Sequence, residues 1–144
     1  MSGGENNSYR VSLADPGGRV SIHDVPTDAF ETNERGITLQ GTTFVPWHRV
    51  LRYTREVTHS LGDPGLPTRT EIRAWVDDGS AAGETLTVRG DQFDPGPWTA
   101  DFLVEGAVNV ETASLHLTKI HVPWGRVLEY ERMFLPAVMP TRPN

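Results

Sequence analysis

The sequence predicts a mainly β protein: two tandem antiparallel units, meander-like or barrel-like, packed into one compact molecule with short helical turns at two Pro-Trp segments. Three observations carry this expectation. Val45-Pro-Trp-His-Arg-Val-Leu-Arg-Tyr-Thr-Arg55 recurs 77 residues later as Val122-Pro-Trp-Gly-Arg-Val-Leu-Glu-Tyr-Glu-Arg132, identical at eight of eleven positions. Upstream of each copy, two alternating runs flank a Gly-rich turn, the signature of a β-hairpin. A third run with period two, Ile37-Thr-Leu39 or Leu115-His-Leu117, then precedes each Pro-Trp segment. Repeats are sought first because a missed repeat misreads the whole fold.

In the first unit the hairpin is Arg10-Val-Ser-Leu-Ala-Asp15, the turn Pro16-Gly-Gly18, and Arg19-Val-Ser-Ile22. Its counterpart is Ile72-Arg-Ala-Trp-Val-Asp-Asp78, Gly79-Ser-Ala-Ala-Gly83, and Glu84-Thr-Leu-Thr-Val88. The second unit has a longer connection, roughly 92–112, with a surface turn expected at Asp94-Pro-Gly-Pro-Trp98 and an extra strand at Phe102-Leu-Val104. The Pro-Trp segment itself reads two ways. Trp47, Val50, Leu51, Val57 and Leu61 trace a helical stripe, with Pro46 suited to the first helical position. Alternatively Pro46 to Arg49 make one tight turn, and Leu51, Tyr53 and Val57 alternate along a strand; Val, Tyr and Thr favour this second reading. The expected organisation is a first β unit over 1–61, a linker over 62–67, a second β unit over 68–135 and an extended or disordered tail over 136–144.

Composition narrows the function. The chain has 144 residues and no cysteine, which excludes disulfides, thiolate catalysis and cysteine-held zinc. No apolar stretch approaches the ~20 residues that cross a bilayer, and the first eight residues have neither a basic nor an apolar leader segment. The sequence-based expectation is a cytoplasmic protein with no membrane partner. A formal charge of -6 argues against broad nucleic-acid binding, which draws on many phosphate contacts. Lys119 is the only lysine against twelve arginines, a bias that fits a high-GC or salt-adapted source. No cofactor or metal site is expected: there is no Gly-rich phosphate loop followed by Lys, and His116 and His121 lack a recognised ligand spacing.

The first unit presents, in order, Val11-Ser-Leu-Ala-Asp-Pro-Gly-Gly-Arg-Val-Ser-Ile22, an Asp-containing connection, Gly36-Ile-Thr-Leu-Gln-Gly41 and Phe44-Val-Pro-Trp-His-Arg-Val-Leu51. This resembles the RNA cyclic-group-end recognition domain, a small family that ends in an Ile-Pro-aromatic-or-Leu-His-Arg-Ile run. It occurs alone in archaea or attached to RNA-repair and poly(A)-polymerase-like proteins. The resemblance covers about residues 9 to 55 and, more weakly, 71 to 132, where Gly125 replaces His48 and the copy is degenerate. It implies a non-enzymatic module that binds an RNA end or a nucleotide phosphate, working with an RNA-processing enzyme.

The candidate binding residues are His48, Arg49, Arg52 and Arg55. A guanidinium presents a planar fork to phosphate, and an imidazole adds a donor that charges near neutral pH. Residues 44–56 hold three Arg against one Glu, a local inversion of the chain's sign. Arg49 recurs as Arg126 beside a glycine, so a structural role fits it equally. Trp47 is a candidate for stacking on a base, although repetition beside Val and Leu favours packing for both Trp47 and Trp124. His116 and Thr118 form one His-x-Thr pair, which in a strand shares a face; two such pairs act as acid and base in cyclic phosphoesterases. That enzymatic reading stands beside a third, a structural or protein-interaction module without a small-molecule site.

Overall fold

Alternating sequence around glycine turns leaves each strand one apolar face, and two such faces must be buried against each other. The computed structural model describes residues 8–60 and 70–134, and these are mainly β. The linker 62–67 and the tail 136–144 lie outside the described residues.

In the first half, β1 (Ser8–Ala14) and β2 (Val20–Pro26) form the expected hairpin. The turn between them uses Gly17 and Gly18 at φ +87° and +81°, conformations that glycine adopts without a Cβ penalty. A 3-10 turn at Thr27–Ala29 leads to β3 (Phe30–Asn33), β4 (Gly36–Leu39) and β5 (Thr43–Pro46). A second 3-10 turn at Trp47–Arg49 leads to β6 (Val50–Ser60), which returns to pair with β1. The second half repeats that order. It runs β7 (Thr70–Val76), β8 (Glu84–Arg89), a 3-10 turn at Gly90–Gln92, β9 (Phe93–Pro95), β10 (Thr99–Asn109) and β11 (Ser114–Pro123). A 3-10 turn at Trp124–Arg126 then leads to β12 (Val127–Phe134), which returns to β7. Both Pro-Trp segments are therefore turn followed by strand, not helix.

The halves join in one six-stranded antiparallel sheet, β2-β1-β6-β11-β10-β9; β12-β7-β8 and β3-β4-β5 form two smaller sheets. Paired residues share a face, so register decides what each face carries. Val11, Leu13, Val25, Val50 and Tyr53 pack against Ile37, Leu39 and Val45 of the β3-β4-β5 sheet. Ala100, Phe102, Ile120 and Val122 pack against Ile72, Ala74, Val76, Leu86 and Val88 of the β12-β7-β8 sheet. Tyr53 pairs with His121 while Ile120 pairs with Thr54, so these two cores use opposite faces of the shared sheet.

Two local devices fit the halves together. At Gly36 an added Cβ would come within 2.1 Å of the Val45 carbonyl oxygen, so only glycine admits the close approach of β4 to β5. In β6 the register with β1 shifts between Ser12 and Leu13, a bulge that lets consecutive Val50 and Leu51 both be buried. Val50 enters the first core, and Leu51 lies against Gly79 in the β7–β8 turn.

Phe102 is fully buried in the second core against Phe93, with ring centroids 5.1 Å apart. Phe102→Ala is expected to lower stability by about 3–5 kcal/mol, the range for losing a large buried aromatic, read as a shifted midpoint in chemical denaturation.

Candidate functional site

The strand periodicity that builds β6 also separates the residues of the basic segment. His48 is exposed in the 3-10 turn, and its carbonyl oxygen accepts a bond from Arg126 Nη2 at 2.8 Å. Arg49 turns back onto the β1–β2 hairpin: its Nε donates to the Ala14 carbonyl at 3.1 Å and its Nη2 to Asp15 Oδ1 at 2.9 Å. Arg126 repeats this contact, with Nη1 donating to Asp77 Oδ2 at 2.7 Å. Arg52 points to the other side of β6, where its side chain is largely buried and pairs with Glu84 of β8. Arg55 alternates onto the opposite face from Arg52. The expected single patch of His48, Arg49, Arg52 and Arg55 is thus not one surface, because a turn and a strand place neighbouring residues on different sides.

Arg55 meets a partner that the local sequence could not supply. Across the β6–β11 ladder it lies directly opposite Lys119. The two line a cleft of about 260 Å³ with Val57, Leu103, Gln92 and Phe93, and Asp91, Asp94 and Asp101 share the lining. Arg55 Nε is buried and has no hydrogen-bond partner among the described residues; its guanidinium sits 5.6 Å from the Tyr9 ring centroid. Neither Arg55 nor Lys119 forms an ion pair among the described residues. The nearby acids are engaged or peripheral. Asp91 lies 3.7 Å from Arg89, Asp94 is exposed, and Asp101 accepts bonds from Thr99 and His121.

Asp101 and His121 form a buried pair beside this cleft. His121 Nδ1 is 2.7 Å from Asp101 Oδ1, Thr99 Oγ1 donates to the same oxygen at 2.6 Å, and His121 Nε2 is buried with no hydrogen-bond partner among the described residues. The Tyr53 ring stacks on His121 at 4.5 Å and 15°. Burial pushes the Tyr53 hydroxyl well above the ordinary tyrosine range; a hydrogen bond with Thr99 opposes the shift, and Asp101 and Tyr9 add to it.

The tryptophans also converge. Trp47 and Trp124 are half-buried and line one slot with Trp98, Pro97, Pro123 and Gly125. Their indole N–H groups are fixed on backbone carbonyls, Trp47 on Asn33 and Trp124 on Gly96, each at 2.8 Å. On the other face of β11, His116 and Thr118 share a side as expected: Thr118 Oγ1 donates to Glu56 Oε2 at 3.0 Å, and His116 Nε2 lies 2.5 Å from the same oxygen. A second His and Thr pair is not part of that cluster among the described residues. No three His, Asp or Glu side chains among the described residues are grouped to hold a metal ion, and no helix among them is long and apolar enough to cross a membrane. Comparison with protein-family models, curated proteins and solved structures gives no match.

Sequence reasoning missed Lys119 and Trp98 because each joins its partners through long-range pairing. The repeated Arg was the available signal for the hairpin contacts, since it recurs where the histidine does not.

Two predictions follow from this geometry. Arg49→Ala removes a charged contact that is about one-third exposed; it should lower stability by about 1–2 kcal/mol after allowance for solvent screening, measured by denaturation. Tyr53 ionises above its unfolded value of about 10, so at alkaline pH the unfolded chain releases this proton first. The stabilisation is fully present below about pH 10 and falls as pH rises through the folded value. Tyr53→Phe should flatten the alkaline limb of the stability profile.

Proposed function

We propose that the protein is a non-catalytic module that binds the phosphate-bearing end of an RNA strand or the phosphate of a nucleotide, and that Arg55 and Lys119 hold the phosphate. One observation carries this reading: two cations lie directly opposite each other on one sheet face with no ion-pair partner among the described residues. Like charges so placed repel, and a buried guanidinium N–H without a hydrogen-bond partner among the described residues is costly. An anion between them removes both penalties, and a phosphate offers several acceptors to a planar fork and an ammonium. Gln92 adds an amide at the cleft wall, although its Nε2 now donates to Glu105 at 3.1 Å.

The resemblance of the first unit to an RNA-end family supports the ligand class, and the acidic balance supports a local site over a long basic track. In this reading Arg49 and Arg126 hold the hairpins, Arg52 joins the halves, and Arg55 alone of the predicted binding residues contacts phosphate. RNA processing or repair is the setting that the resemblance suggests.

The test is fluorescence anisotropy with matched RNA oligomers ending in a hydroxyl, a 3′-phosphate or a 2′,3′-cyclic phosphate. The parent should favour the phosphate-bearing ends. Arg55→Ala should weaken their binding by about 1.5–3 kcal/mol, the range for a charged hydrogen bond, and Lys119→Ala by a similar amount. Arg49→Ala should bind as the parent does. With one phosphate held on a single strand, the salt slope should be near -0.7, about 0.7 per phosphate neutralised. Equal affinity for all three ends, or unchanged binding by Arg55→Ala, would reject the proposal.

A further inference from the structure

We infer that the slot between Trp47, Trp98 and Trp124 receives an unpaired nucleobase, which makes single-stranded RNA the ligand; this inference rests on the phosphate-binding reading and names its substrate more closely. Both halves build the slot. Trp47 follows β5, Trp124 follows β11, and Trp98 precedes β10. The two Pro-Trp turns are held together when Arg126 donates to the His48 carbonyl while also pairing with Asp77. The Trp124 backbone N–H bonds to the Trp98 carbonyl at 3.3 Å, which fixes the third residue beside the other two. The resulting space is about 220 Å³ and its floor includes Pro97 and Pro123.

The chemistry favours a flat aromatic group. Trp47 and Trp124 have their N–H donors engaged, so they offer π faces and no free donor. A polyproline segment carries solvated carbonyls that need donors in a groove, and of the three rings only Trp98 has an indole N–H not engaged among the described residues. A base needs only a face to stack on, and stacking tolerates any sequence. Gly125 lines the slot, and a Cβ added there would meet nothing within 4 Å, so a longer side chain can be placed at the slot wall without displacing the fold. The first half has exposed His48 at the matching position.

Placement links the slot to the cations. Lys119, His121 and Pro123 alternate onto one face of β11, so Lys119 and the slot-lining Pro123 lie on the same side, about 13 Å apart at 3.3 Å per residue. Buried His121 lies between them. A short single strand spans that distance, with a phosphate at one end and a stacked base at the other. A duplex keeps its bases paired and cannot offer one to the slot.

The experiment uses the full chain with a labelled oligoadenylate carrying a 3′-phosphate, the same oligomer with a 3′-hydroxyl, and the phosphate-ended oligomer annealed to a complement. Tryptophan emission should be quenched by the single strand and not by the duplex. Trp98→Ala should weaken single-strand binding about tenfold, the scale of one lost stacking contact, while the preference for phosphate over hydroxyl stays as in the parent. Gly125→Gln changes an exposed position with open space around it, so the fold is kept, and it should have the same effect. Arg55→Ala should instead erase the phosphate preference and leave the quenching. Single-strand binding unchanged in both slot variants overturns the inference and leaves the phosphate site standing. Loss in the slot variants with no effect of Arg55→Ala supports the slot and rejects the phosphate site. Quenching by an oligoproline peptide in place of RNA overturns it in favour of a peptide partner.

Discussion

Eight residue pairs, from Ser60 with Ser114 to Tyr53 with His121, join β6, the closing strand of the first half, to β11 of the second. Register across this ladder governs what surrounds it. The first core occupies the Tyr53 side, and the second core occupies the Ile120 side. Neither small sheet covers the whole ladder, so each face has a stretch where its core stops. Arg55 and Lys119 lie on one uncovered stretch; Glu56, His116 and Thr118 lie on the other. A one-residue slip would exchange the two sets and send cations into a core. The placement of the polar clusters is a consequence of how two cores share one sheet.

The repeated arginine shows how the same sequence element can be structural in both halves. Each Pro-Trp turn ends in an Arg that reaches the Asp at the end of its own hairpin, Asp15 or Asp77. Each Trp also ties its indole N–H to a backbone carbonyl, that of Asn33 at the end of β3 or of Gly96 just after β9. These contacts hold the turn against the hairpin and fix where the closing strand starts. The second Arg does more, since it also bonds the carbonyl of His48 in the other half. One contact is intra-unit and repeated; the other is inter-unit and occurs at one copy.

Much of the fold was legible because hairpins and alternation are local. The alternating runs on either side of the turns at 15–19 and 77–83, and Ile37 to Leu39, Leu115 to Leu117 and Phe102 to Val104, lie in strands. The preference for turn over helix at Pro46 follows from β-branched and aromatic residues that repeat with period two after the Trp. The short strands β3, β5 and β9 were not legible, since three or four residues carry too little periodicity to separate from a loop. The site was legible only in part. Charge counting found Arg55 within a basic run, yet three neighbours of equal charge go to three different environments. What distinguishes them is whether an acid lies within reach in the folded chain: Asp15 for Arg49, Glu84 for Arg52, and a facing lysine for Arg55. No window of sequence contains those pairings.

On the proposed reading, the acidic balance is the source of the site's selectivity. A basic protein gathers nucleic acid along the whole backbone by releasing counterions at many phosphates. A chain of charge -6 repels most of that backbone, so attraction survives only where cations are concentrated and unpaired. The acids around the cleft sharpen this further. Asp91 and Asp94 at its edge disfavour a backbone that continues through the cleft on both sides. A terminal phosphate enters from one side only and brings its charge past that edge with less strand following it. An aromatic slot then adds attraction that carries no charge and survives added salt. On the proposed reading, stacking and one concentrated phosphate contact together suit an RNA end better than its interior, and the negative surface that disfavours a long RNA backbone would make the distinction.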